Sequence, residues 1–275
     1  MFSDKFKYRL EQFTTYFGIG AFILHFATIM AIQLGLLQAK YFPENLFGHP
    51  FSALFSPFSI LLVYEVYLLV FYLRKSYTKS VAKQMEIMAL ILLRNSFKDI
   101  GKLLQGDTPL LQSDLLKDLI GFVSILLLLW IFSKIDSERT DSKYELTPQF
   151  IKLKERLSIV LMFVFFGLSV FSFTIWIFEL IQYSDNHASL QDPSHIFYKE
   201  FFTLLTFVDV LLLLSSAKNL QNTILVIRNS GYVLATLLMR ISFGLEGWEK
   251  VFTIVIGASV AVFMLWISRR KVFLV

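Results

Sequence analysis

The chain has 275 residues, 56% hydrophobic and 17% charged, with 26 Lys and Arg against 21 Asp and Glu. A soluble domain carries about 25% charged and 45–50% apolar residues, so the balance is that of a membrane protein. With no cysteine, the composition excludes a disulfide scaffold, thiolate metal sites, iron–sulfur clusters and a cysteine nucleophile, and it is too apolar for disorder.

A membrane span needs about 20 mainly apolar residues. In chain order, such runs lie near Phe13–Leu37, Phe51–Leu73, Leu116–Ser133, Leu157–Tyr183, Tyr198–Ala217 and Val251–Ser268. Two weaker runs, Ser80–Phe97 and Gln221–Phe243, each carry a base toward either end: Lys83 and Arg94, then Arg228 and Arg240. The first run follows Lys5, Lys7 and Arg9. It is about twice the length of a signal-peptide core and no small-residue cleavage site follows, so it reads as a retained helix.

The chain repeats itself. Ala89–Phe97 aligns with Ala235–Phe243 at an offset of 146, with five of nine positions identical. Glu65 matches Asp209, Lys83 matches Arg228, Arg9-Leu10 matches Arg156-Leu157, and Leu129-Trp130-Ile131 matches Leu265-Trp266-Ile267. Each half then reads as a long span, a span holding an acid, a weak span flanked by bases, and a last span. The division is 1–137 and 150–275, joined by a charged linker at 138–149.

Counting the weak runs as spans gives eight helices in two parallel repeats. Leaving them out gives six helices in an inverted repeat, a transporter hallmark. The positive-inside rule separates the two. With eight spans and both termini cytoplasmic, the cytoplasmic segments hold 18 of the 26 bases. The best six-span split is 15 to 11. The expected fold is therefore all-α, with eight transmembrane helices as two parallel four-helix repeats. The basic balance then points to anionic headgroups at cytoplasmic loops rather than to nucleic acid.

Glu65 and Asp209 each interrupt an apolar run. At a rise of 1.5 Å per residue, Glu65 lies about 15 Å and Arg94 about 16 Å from the cytoplasmic end. For Asp209 and Arg240 the depths are about 13 and 18 Å. Each charge costs about 2.5–3.5 kcal/mol at a helix centre, so Glu65–Arg94 and Asp209–Arg240 are expected to pair. Such pairs either lock neighbouring helices together or line a hydrated path for an ion or proton.

The remaining polar features are weaker. His25, inside the first span, reads as a helix–helix hydrogen bond rather than a ligand. His187 and His195 lack metal spacing, and Gly18-Ile19-Gly20 lacks the third glycine of a nucleotide loop. Tyr64, Tyr67 and Tyr72 flank Glu65, and Trp130, Trp176 and Trp266 fit aromatic belts. Arg228 and Arg240 are twelve apart, which excludes a voltage-sensor helix. No cofactor or metal is expected.

The acid inside the second span (Glu65, Asp209), the base opening the third (Lys83, Arg228) and the arginine toward its far end (Arg94, Arg240) resemble the phosphate-starvation-inducible E (PsiE-like) family of bacterial four-helix membrane proteins. The spacing of Arg228 and Arg240 fits that family; Lys83 and Arg94 are one residue closer, and both halves lack its proline. The resemblance implies a tandem fusion of two such units in a bacterial inner membrane. It implies no reaction. The expected function is non-enzymatic, a sensor or a membrane-anchoring or regulatory subunit working with lipid, a protein partner or a second copy of the chain. The alternative is an ion or proton channel or transporter using the acid–arginine pairs.

Overall fold

The computed structural model describes residues 4–38, 42, 44–104, 114–137, 148–186, 193–219 and 223–269. Among them there is no strand, and eight helices run for 19 to 39 residues. In chain order the helices are α1 (Asp4–Gln33), the one-turn α2 (Glu44–Phe47), α3 (Phe55–Lys75), α4 (Tyr77–Leu104) and α5 (Asp114–Ser137). Then follow α6 (Pro148–Asn186), α7 (Pro193–Asn219), α8 (Thr223–Ile241) and α9 (Gly247–Arg269). Each of the eight apolar runs falls on one long helix.

Local chemistry sets several boundaries. The first run was expected to reach Leu37, but α1 stops at Gln33 because Gly35 takes φ +74. Its N–H bonds the Ile32 carbonyl at 3.0 Å and that of Leu36 bonds the Ala31 carbonyl at 2.9 Å. That is the glycine C-cap in which a left-handed residue satisfies the last carbonyls. Pro148 and Pro193 open α6 and α7, where a missing N–H leaves no helical bond unmade.

Five helical stretches are long and apolar enough to cross a membrane: Asp4–Gln33, Pro50–Leu73, Asp114–Ser137, Lys152–Ser172 and Gly247–Ser268. Their outer faces are apolar as well. Phe163, Val170 and Phe171 on α6 and Phe252, Ile256 and Phe263 on α9 are exposed. Apolar surface on this scale is unfavourable in water and natural against lipid. The chain has the make-up of a helical membrane protein. The runs on α4, α7 and α8 are not among the five. Charge explains α4, which carries Lys79, Lys83, Glu86, Arg94 and Asp99.

By contact the chain forms two units, and each draws on both sequence halves. One comprises 1–66, 90–119 and 166–198; the other comprises 67–89, 120–165 and 199–275. In the first unit, a Cβ added at Gly18 of α1 would lie 3.9 Å from Pro57 of α3. Nearby, the Tyr64 hydroxyl donates to Glu11 at 3.4 Å. In the second, α8 and α9 pack closely against each other. A Cβ on Gly257 would come within 2.8 Å of the Ala235 carbonyl oxygen, so the backbones approach where only glycine fits. Residues 138–147 of the charged linker lie outside the described residues, as do Arg270 and Lys271.

Candidate functional site: a buried arginine cluster

α7 and α8 are consecutive and antiparallel, and their inward faces carry polar groups at helical spacing. Thr206 and Asp209 are three apart on α7; Tyr232, Thr236 and Arg240 are four apart on α8. Residues three or four apart share a helix face, so each set lies in one stripe. Asp209 is 0% exposed and Arg240 8%. The Arg240 Nη2 atom is 2.5 Å from the Asp209 carboxylate, an interhelical ion pair.

Arg240 holds two further acceptors. Nη1 donates to the Thr206 hydroxyl at 2.8 Å, and Nη2 also donates to the Gln84 side-chain oxygen at 2.9 Å. Its planar fork is suited to several acceptors at once. The cluster thus ties α4, α7 and α8 together. Thr206 keeps a donor bond to the Phe202 carbonyl at 2.8 Å, so its oxygen is free to accept. Thr236 lies beside Asp209 and bonds the Val233 carbonyl at 3.0 Å.

Gln84 comes from the first half of the sequence, and its bond fixes how α4 lies on α8. A second contact agrees: the Tyr77 and Tyr232 rings are 6.0 Å apart. These partners are 155 and 156 positions apart in sequence. Both numbers rise together along the chain, so the two helices run parallel. The sequence repeat relates residues 146 apart. α4 is therefore displaced along α8 by nine or ten residues, about 14–15 Å at the helix rise. Lys83, read as the equivalent of Arg228, lies near the level of Arg240 instead. A repeat count along the chain does not register this stagger.

Arg94 on α4 is buried and its guanidinium carbon sits 4.8 Å from the Phe55 ring centre. That is a cation–π arrangement. Glu65 on α3 is half-buried. The two helix-opening bases are both half-buried in the second turn of their helices. Lys83 pairs with Glu86 and lies 6.0 Å from the Tyr72 ring; Arg228 lies 5.7 Å from the Tyr232 ring and donates to Asn229 at 3.4 Å.

His25 joins α1 to the segment that follows it. Its Nε2 is 3.0 Å from the Leu46 carbonyl and its Nδ1 is 2.5 Å from the Ser56 hydroxyl. A carbonyl can only accept, so Nε2 carries the proton and Nδ1 accepts from Ser56. Among the described residues no group of three or more His, Asp or Glu is placed to hold a metal ion. His187 lies outside the described residues, and the side chains of His195 and Trp176 do as well.

Sequence reasoning did not single out Gln84, Thr206, Tyr77 or Tyr232, nor the buried Asp118 and Lys154. Thr206 and Asp209, three apart in an apolar run, were a readable signal. Gln84 had none, because its partner is 156 positions away. No protein-family model matches the chain, and no curated protein or solved structure matches it.

Proposed function

We propose that this is a non-enzymatic integral membrane protein, a sensor or a membrane-anchoring or regulatory subunit of a bacterial inner membrane. It is built as a tandem of two PsiE-like four-helix units with both termini cytoplasmic. The observation that carries this reading is the Arg240 guanidinium. Its charge is taken up by acceptors on α4 and α7, which is the behaviour of a joint between helices rather than of an ion's binding group. Basic cytoplasmic loops would meet anionic headgroups or a protein partner.

Two aromatic stacks support the tandem arrangement. Phe58 and Phe97 stack with ring centres 5.1 Å apart and planes at 23°. Phe202 and Phe243 stack at 5.0 Å and 17°. Phe202 follows Phe58 at the offset that relates Asp209 to Glu65, and Phe243 follows Phe97 at the offset that relates Arg240 to Arg94.

The alternative, an ion or proton channel or transporter, is favoured by one detail. The Asp209 Oδ1 atom is buried and has no hydrogen-bond partner among the described residues. Flux through proteoliposomes separates the two. The joint reading expects neither proton nor ion flux. A flux that vanishes in a folded Asp209→Asn variant would replace it with the alternative. Topology is tested by single cysteines, which have no native background. Asp141→Cys should react with an impermeant reagent only in opened cells, and Gly106→Cys in intact cells. The reverse pattern would overturn the orientation.

A further inference from the structure

The arginine cluster leaves some of its own polar atoms unused. Asp209 Oδ1, Arg240 Nε, Ser80 Oγ and Tyr77 Oη are all buried and have no hydrogen-bond partner among the described residues. Buried polar groups are almost always bonded, to protein or to ordered water. Four exceptions on one cluster call for a common cause.

Their placement is coherent. Tyr77, Ser80 and Gln84 fall at positions i, i+3 and i+7 of α4, on one face. That face meets α8 at both of its ends, through Tyr77 on Tyr232 and Gln84 on Arg240. Ser80 lies between the two contacts, about one turn from each. Tyr77 is also within electrostatic reach of Asp209 and Arg240. Ser80 is fully buried. A helical serine in an apolar setting ordinarily donates to the carbonyl one turn back. Ser59, Ser96, Ser124 and Ser230 all do so, and Ser80 does not.

We infer that this face of α4, with Asp209 and Arg240, is an internal hydration site holding ordered water between α4, α7 and α8. The chemistry fits water better than an ion. Asp209 and Arg240 neutralise each other, so there is no net charge to attract one. The atoms present are one acceptor, Asp209 Oδ1, one pure donor, Arg240 Nε–H, and two hydroxyls that can do either. A water needs two to four polar partners, and these four supply them. Water there would satisfy the Asp209 oxygen without protonating it and would keep the hydroxyls of α4 bonded. The site holds whether or not the protein conducts.

Hydroxyl-radical footprinting of the full-length protein in nanodiscs tests this. Radicals made from bound water label adjacent side chains even when bulk solvent cannot reach them. Tyr232 and Tyr64 are both buried, at 0% and 7% exposure; Tyr232 adjoins the cluster through Tyr77, and Tyr64 bonds Glu11 of α1 instead. Tyr232 is expected to be modified at least several-fold faster than Tyr64. Ser80→Val, which replaces the hydroxyl with a methyl and adds a second one, should bring the two rates together. Ser80→Ala is the milder version if the valine variant does not fold. Equal rates in the unaltered protein would overturn the site. So would a fast Tyr232 rate that neither Ser80 variant lowers, because the water would then lie elsewhere.

Discussion

The α3–α4 and α7–α8 regions carry the same aromatic register and differ in the side chains beside their arginines. In both, a phenylalanine seven residues before the acid stacks on one three residues after the arginine. Arg240 is bound by Asp209, Thr206 and Gln84, and the Arg94 guanidinium lies over the Phe55 ring. The side chains one turn away also differ. Where α7 has Thr206 and α8 has Thr236, the matching positions in α3 and α4 are Leu62 and Leu90. A shared register thus carries different side chains around the two arginines. Asp209 is fully buried and Glu65 only half-buried.

The largest expected effect follows from that contrast. Asp209→Ala strands the Arg240 charge in low dielectric and should cost about 3–5 kcal/mol of stability. Glu65→Ala, at a half-buried position, should cost clearly less. Unfolding in detergent micelles, followed by circular dichroism, gives both values. A double Asp209→Ala, Arg240→Ala variant should lose less than the two single losses added. Strict additivity would mean that the ion pair contributes nothing.

Close packing gives the next effect. Gly257→Ala drives a methyl against the Ala235 carbonyl oxygen, and backbone cannot yield as a side chain can. Overpacking of this kind costs about 1–3 kcal/mol. Gly231→Ala is the control, since its nearest neighbours are atoms of the Met264 side chain, which can rotate away. Its melting temperature should fall less. Gly121 occupies the place that matches Gly257, at the offset relating Trp130 to Trp266, and is also buried. If the halves pack alike, Gly121→Ala should lower the melting temperature about as far as Gly257→Ala. A neutral Gly121→Ala would confine the close approach to the second half.

Gln84→Leu removes the hydrogen bond that joins Arg240 to the first half of the sequence. Interhelical hydrogen bonds in membranes are worth about 0.6 to 2 kcal/mol, so a loss of roughly 1–2 kcal/mol is expected. Against an Arg240→Ala background the same change should be nearly silent. An unchanged loss there would mean that Gln84 acts through something other than the guanidinium.

Much of this was legible in the sequence for a simple reason. A membrane helix must present about 20 apolar residues, so its existence is written in a continuous run, and every such run lies on a helix. The approach of Asp209 to Arg240 was open to counting because consecutive antiparallel helices return to the same depth. What counting could not reach was the third partner. Gln84 and Arg240 belong to parallel helices from different halves, and no turn fixes their relative level. The same limit hid the stagger of α4 on α8, and with it the level of Lys83. The contacts of Phe55 and Ser56 depend on how an irregular segment folds onto a helix, which apolar periodicity does not encode.

The smallest expected effect is also the most direct measure of how alike the two regions are. Offset-stacked rings contribute about 0.5–1.5 kcal/mol beyond the area they bury. Phe58→Leu and Phe97→Leu, singly and together, isolate that coupling in α3–α4, and Phe202→Leu with Phe243→Leu isolates it in α7–α8. Leucine keeps much of the apolar volume, so the cavity contribution is small and largely cancels in each cycle. With ring separations of 5.1 and 5.0 Å and tilts of 23° and 17°, the two coupling energies should agree within about 0.5 kcal/mol. The single losses should still differ, because Phe202 is nearly fully buried and Phe58 only half-buried. Equal couplings with unequal single losses would separate a shared register from unshared surroundings. Unequal couplings would mean that the stacks resemble each other in geometry alone.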